Sequence, residues 1–304
     1  MNSPAGMSSN FIPTELMRKF SPMPVLSIIA CGMLEDELAY VLSSDRELAQ
    51  LILVENGEHF GLQRKLKSLG CFPTLIPLDR VPEILIQENN QSLPAILKPI
   101  CCFNFIKRIV SKMENQHKPK VTVVANMLKR GLHADVEKVR VEVYKKIMEM
   151  SRFSDRILIF YGTCGHSLSN LEKDFENLGC QIYFLKDENG EIVEDCISAA
   201  LGGNDVYARA LVNGEGAGTF YLTQMWASNW DEKQKDNAIL SSESDTKFLK
   251  LYGRAAKINT GLSYEPDFDK NVRDFARFFN LKIVELQGSK KIAEQSYQNA
   301  KKFP

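Results

Sequence analysis

Short runs of valine, isoleucine and leucine alternate along the chain with amphipathic stretches of roughly ten to twenty residues, the pattern of β–α units around a mainly parallel sheet. VLSIIAC at 25–31 predicts the first strand, and LILVEN at 51–56 the second. Further strands are predicted at TLIPL (74–78), VTVVANML (121–128), RILIFYG (156–162), QIYFL (181–185), GTFYLT (218–223) and LKIVEL (281–286). Between them, helices are expected at 35–44, 58–70, 81–87, 133–152 and 167–179, with short ones from Cys196 onward. Glu35, Asp36 and Glu37 open the first helix, where carboxylates suit the positive end of the helix dipole. An apolar stretch at 92–115 reads as a buried helix broken at Pro99.

From Ile192 the texture changes to two glycine clusters with short helical pieces, a region rich in loops and therefore in functional potential. The expected architecture is a three-layer α/β fold with flanking helices, open to a division into two similar facing lobes. The boundaries are an N-terminal arm at 1–20, an α/β lobe at 21–153, and a second lobe at 154–304 carrying the glycine-rich region.

Composition narrows the function classes. Among 304 residues, 38 lysines and arginines balance 38 aspartates and glutamates, so no overall field draws the chain to nucleic acid or to an anionic membrane. The longest apolar runs fall below the ~20 residues of a membrane-spanning helix. The first residues lack a charged start followed by an apolar core and a cleavage site, which points to a cytoplasmic protein with reduced thiols. There are seven cysteines, and no CxxC pair.

Three cysteines fall where strands end. Cys31 closes the first strand, Cys164 follows RILIFYG, and Cys196 opens the helix CISAALG, while His133 starts the helix after VTVVANML. Open parallel sheets gather ligands at such turns. A thiol at a helix start should also have its pKa lowered by the dipole, favouring the metal-binding thiolate. A free cysteine otherwise packs as a small hydrophobe, which is the reading for Cys71, Cys101, Cys102 and Cys180. His166 reads first as a solvent-facing residue and second as a ligand. Tyr221, Trp226 and Trp230 either line a pocket or fill a core. GEGAG at 214–218 lacks the context of a phosphate loop, and neither HExxH nor GxSxG occurs.

The blocks IACG at 29–32, LH at 132–133, YGTCG at 161–165, DC at 195–196, LGG at 201–203 and GTFYLT at 218–223 together make the chain resemble the family known as domain of unknown function 1638. The resemblance implies Cys31, His133, Cys164 and Cys196 as shared polar positions, with Tyr161, Gly165, His166, Asp195, Tyr221 and Trp226 as further candidates. It also implies a role in corrinoid-dependent methyl transfer and methanogenesis, with a corrinoid protein or corrinoid-dependent methyltransferase as partner and the corrinoid itself reached through that partner. The chain departs from the family pattern at Ala134-Asp135, His166-Ser167 and Gln224-Met225.

Three readings follow. In the first, the thiols and His133 hold zinc or an iron–sulfur cluster in an accessory protein. In the second, an enzyme (a methyltransferase or a redox activator) uses Cys164 as nucleophile with His166 or His133 as base. In the third, the chain is a binding module whose thiols are packing.

Overall fold

The computed structural model describes residues 23–90, 121–214, 218–235, 251–262 and 264–303. The arm at 1–20 and the apolar stretch at 92–115, with Cys101 and Cys102, lie outside the described residues.

Six strands, β1 (Val25–Cys31), β2 (Leu48–Val54), β3 (Thr74–Ile76), β4 (Val121–Leu128), β5 (Arg156–Phe160) and β6 (Gln181–Phe184), form one sheet in the order β3-β2-β4-β1-β5-β6. Every pairing in it is parallel. Each residue of β1 and β4 is buried, which requires cover on both faces and explains why their sequences are apolar runs without alternation. The cover includes helices α1 (Glu35–Ser44), α2 (Phe60–Ser68), α3 (Val81–Asn90), α4 (Val136–Met150) and the short α5 (Leu171–Asp174). Val139, Val143, Ile147 and Met150 of α4 recur at helical spacing and are fully buried.

Strand order fixes the position of the crevice. From β1 the chain leaves toward β2 on one side of the sheet, and from the neighbouring β5 it leaves toward β6 on the other. Adjacent strands whose connections diverge leave a gap beyond their carboxyl ends. Cys31 ends β1 at that gap, and the turn holding Cys164 follows β5.

Beyond β6 lie α6 (Cys196–Leu201), α7 (Asn204–Val212), β7 (Gly218–Leu222), α8 (Gln224–Lys235), β8 (Tyr252–Asn259), α9 (Phe268–Phe278), β9 (Lys282–Gln287) and α10 (Lys291–Lys301). Strands β7, β8 and β9 make a second, all-parallel sheet. Its side chains alternate between two cores, as strand geometry demands. Leu222 and Ala255 pack with Val272, Phe275 and Ala276 of α9, whereas Tyr221, Ala256 and Ile258 pack with Ile197 and Ala200 of α6. Trp226, near the start of α8, touches both of these cores and the large one.

The α/β class with two parallel sheets agrees with the sequence pattern, but three details differ. The large sheet runs across residue 153, where a division was expected, because β5 and β6 pair onto β1. The helix expected at 167–179 shrinks to the four residues of α5. Cys164, Gly165 and His166 all take positive φ (45°, 69° and 67°), and Ser167 Oγ donates to Thr163 O at 3.1 Å, so the chain is committed to a turn where a helix would start. Finally, α4 begins at Val136 with Asp135 as its N-cap, its carboxylate accepting the Lys138 N–H at 3.2 Å. No helix among the described residues is long and apolar enough to cross a membrane.

The C-terminal helix is fastened by a buried polar knot. Lys301 Nζ lies 2.6 Å from Asp45 Oδ1 and 2.9 Å from Glu47 Oε2, and the Tyr297 hydroxyl donates to Asp45 Oδ2 at 2.6 Å. This joins α10 to the turn between α1 and β2.

Candidate functional site

The site is assembled from two turns pressed together. Thr163 N donates to Val193 O at 2.9 Å and Cys164 N to Glu194 O at 2.7 Å, so the turn after β5 is tied by backbone to the segment that leads into α6. Gly162 makes this approach feasible: a Cβ there would lie 2.5 Å from Asp195 Cα, so any larger residue would push the turns apart. Asn204 holds the second turn from behind, its Oδ1 accepting from the Glu194 N–H at 2.9 Å and the Ser198 hydroxyl at 2.7 Å, while its Nδ2 donates to Ile192 O at 3.0 Å. Gly202 and Gly203, both at positive φ, supply the reversal that brings Asn204 back.

Asp195 caps α6, its Oδ1 accepting the N–H groups of Ile197 and Ser198 at 2.9 and 2.8 Å. Cys31 enters from the end of β1. Its sulfur accepts the Met33 N–H at 3.4 Å and is hydrogen-bonded to the Tyr161 hydroxyl.

The result is one cavity of about 860 Å³ lined by Cys31, Cys164 and Cys196, together with Tyr161, Gly165, His166, Asp195, Tyr221 and Trp226. The structure thus gathers nine of the ten residues singled out in the sequence. The tenth, His133, lies in the turn Leu132–Ala134, and its side chain falls outside the described residues. His166 is exposed at the rim, with Ser169 Oγ 3.4 Å from its Nδ1. Trp230 does not reach the cavity; it packs on Phe275, Phe278 and Phe279. Cys71 and Cys180 pack against the large core.

The thiols are held protonated. Burial raises the pKa of Cys31, despite the Met33 N–H and the Tyr161 hydroxyl, which act the other way. For Cys164, burial comes first, followed by the charges of Cys31 and Asp195. Cys196 is raised by burial, then by Cys31, Asp195 and Cys164, and lastly by Glu37. This reverses the expectation that helix starts would lower these pKa values. Cys31 opens only a three-residue 3-10 turn, Cys164 opens no helix, and the first free N–H groups of α6 are taken by Asp195 rather than by the Cys196 sulfur.

The lining brings three neutral thiols and the Asp195 carboxylate together, with no lysine or arginine among its described residues. Soft sulfur donors suit zinc or an iron–sulfur cluster, and a cation there would remove the penalty that keeps the protons on. Among the described residues, however, no group of three His, Cys, Asp or Glu side chains is placed to hold a metal ion.

Several wall residues escaped the sequence reading. Tyr207 of α7 stands edge-on to Tyr221, ring centroids 5.4 Å apart at 86°. Phe220 stands edge-on to Trp226 at 5.3 Å and 87°. Alternation of apolar residues in β7 was the available signal for Phe220. Tyr207 had only its helical position after the LGG turn.

The fold and site define a class: an α/β protein with a thiol-lined crevice at the switch point of a parallel sheet. Residues 127–297, more than half of the chain, match the family described as protein of unknown function (DUF1638), and the chain belongs to that family. The match includes the turns with Cys164 and Cys196 and stops short of Cys31. No curated protein and no solved structure matches the chain.

Proposed function

We propose that the chain is a metal- or cofactor-binding accessory protein of corrinoid-dependent methyl transfer, its site being the crevice of Cys31, Cys164 and Cys196 with His133 as fourth ligand. One observation carries the binding claim: three cysteines from three separate turns, Cys31 more than a hundred residues before the other two, line a single cavity. Cys164 and Cys196 pack against the large core and also border the cavity, to which they remain partly exposed. A thiolate nucleophile is the weaker reading, since burial and repulsion hold all three sulfurs as thiols.

Zinc would supply a Lewis acid at this place, and an iron–sulfur cluster an electron carrier. The chain's own groups would position and shield it: Tyr161 hydrogen-bonds the Cys31 sulfur, Asp195 fixes α6, and Trp226 closes the side next to the second sheet. The link to a corrinoid protein or methyltransferase rests on family resemblance and places the corrinoid on the partner.

Anaerobic purification followed by elemental analysis tests the reading. Near-stoichiometric zinc or iron that disappears in Cys164→Ser and persists in Cys71→Ser is the expected result. Metal-free wild-type protein that also fails to take up zinc or iron in titration contradicts it. Binding of a methylated corrinoid protein to the metal-loaded chain, measured by calorimetry, tests the partner.

A further inference from the structure

The cavity is much larger than a metal ion with its ligands needs, and at about 860 Å³ it falls in the range of sites for organic molecules. Its two halves differ in chemistry. The three thiols come from the large sheet and α6, whereas the second sheet and the helices beside it bring Tyr207, Phe220, Tyr221, Trp226 and Tyr252 to the lining. Tyr207 stands perpendicular to Tyr221 on one face of the small sheet, while Phe220, the preceding residue of β7, points to the other face, where it meets Trp226 edge-on.

Charge in the lining has one sign. Among the described residues that line the cavity there is no lysine or arginine; Asp195 and Glu194 carry carboxylates, and His166 stands at the rim. Asp195 borders this space, and its charge reaches Cys31, Cys164, Cys196 and Tyr207, although burial raises its own carboxyl. An anionic ligand would meet Asp195 and Glu194 with no cation in the lining itself, the guanidinium of Arg254 standing behind it on Thr219 Oγ1 at 2.8 Å. A neutral ligand would bury Asp195 further with only the Ile197 and Ser198 N–H groups to compensate it. A cation with a methylated, weakly hydrated surface gains from both the carboxylate and the ring faces.

We infer that the aromatic half of the cavity is a binding site for a small organic cation of the methylated-onium class, a quaternary ammonium or sulfonium, held between Asp195 and the wall of Tyr207, Tyr221 and Trp226. The site shares the crevice with the proposed thiol site but does not need the metal. Choline serves as probe, with 3,3-dimethylbutan-1-ol as its neutral isostere and trimethylacetate as an anion of similar shape, each titrated calorimetrically into the full chain with metal content measured on the same preparation.

Choline should bind at least about tenfold more tightly than the isostere, and trimethylacetate should not bind. Tyr207→Leu should weaken choline by about tenfold and Tyr207→Phe should restore it, because the ring face rather than the hydroxyl carries the attraction. Asp195→Asn keeps an N-cap residue for α6 while removing the charge, so it should weaken choline with the circular dichroism unchanged. Equal affinity for choline and its isostere, or no binding by either, overturns the inference. Either result leaves the metal content to decide the thiol reading separately, and loss of metal with retained choline binding leaves the present inference standing alone.

Discussion

At the scale of single residues, the thiols behave as a group. Each is raised by its own burial and by the charge of Asp195, to which Cys31 adds for Cys164, and Cys31 and Cys164 for Cys196. In reduced, metal-free protein, Cys164 should therefore react with iodoacetamide many times more slowly at pH 7 than a free thiol. Its rate should climb only in the alkaline range, because the thiolate is the reacting form. Mass-spectrometric alkylation rates across pH check this, and fast alkylation at pH 7 would show a lowered pKa. The positions of Cys31, Cys164 and Cys196 could be read from strand ends, since a run such as VLSIIAC announces where the chain turns. Their proton affinity could not: it depends on what packs around them, and Tyr161, Asp195 and Glu37 come together only in the fold.

At the scale of elements, the strands were legible because buried parallel strands are continuous apolar runs, and α4 was legible through Val139, Val143 and Ile147. The stretch 167–179 misled because its helical composition is overruled by left-handed residues at 164–166 and by the Ser167 back-bond. The start of α1 shows a second limit. Its three carboxylates suggested only a helix dipole, yet they are buried, and Lys65 of α2 bridges Glu35, Asp36 and Glu265 at 2.9, 2.5 and 3.1 Å. That lysine lies in a polar helix whose sequence gives no hint of its burial.

Glu37 belongs to this element and lacks such a partner. Burial, and then the charge of Asp36, push its carboxyl up to about 8 from an ordinary 4.5, with Lys65 acting the other way. Cys196 and Tyr264 also feel its charge. The folded protein therefore holds a proton that the unfolded chain releases, so Glu37 costs stability as pH rises from about 4.5 to about 8, by up to roughly 1.4 kcal/mol per unit. Glu37→Gln should flatten the fall in unfolding free energy over that window in urea titrations. An unchanged slope would place the titration elsewhere.

At the scale of the whole molecule, the crevice is bounded by elements far apart in the chain, and α10 returns to lock α1 and β2. Removing the positive partner from that lock leaves a buried carboxylate with only the Tyr297 hydroxyl and the Glu47 N–H as donors. Lys301→Met should lower the unfolding free energy by about 3–5 kcal/mol, and adding Asp45→Asn should recover part of it. A loss under ~1 kcal/mol in chemical denaturation would show the pair to be a surface contact in solution. Two sheets were within reach of the sequence pattern, but not the place where the first ends, because strand pairing across residue 153 is a long-range choice.

The central claim is that Cys31, which precedes the matched family region, shares one site with Cys164 and Cys196. X-ray absorption at the edge of the zinc or iron that the site is proposed to hold measures this directly. If the three cysteines share the site, the metal has three sulfur neighbours at roughly 2.3 Å, and one fewer in Cys31→Ser. A sulfur count unchanged by Cys31→Ser, or a first shell without sulfur, would contradict it.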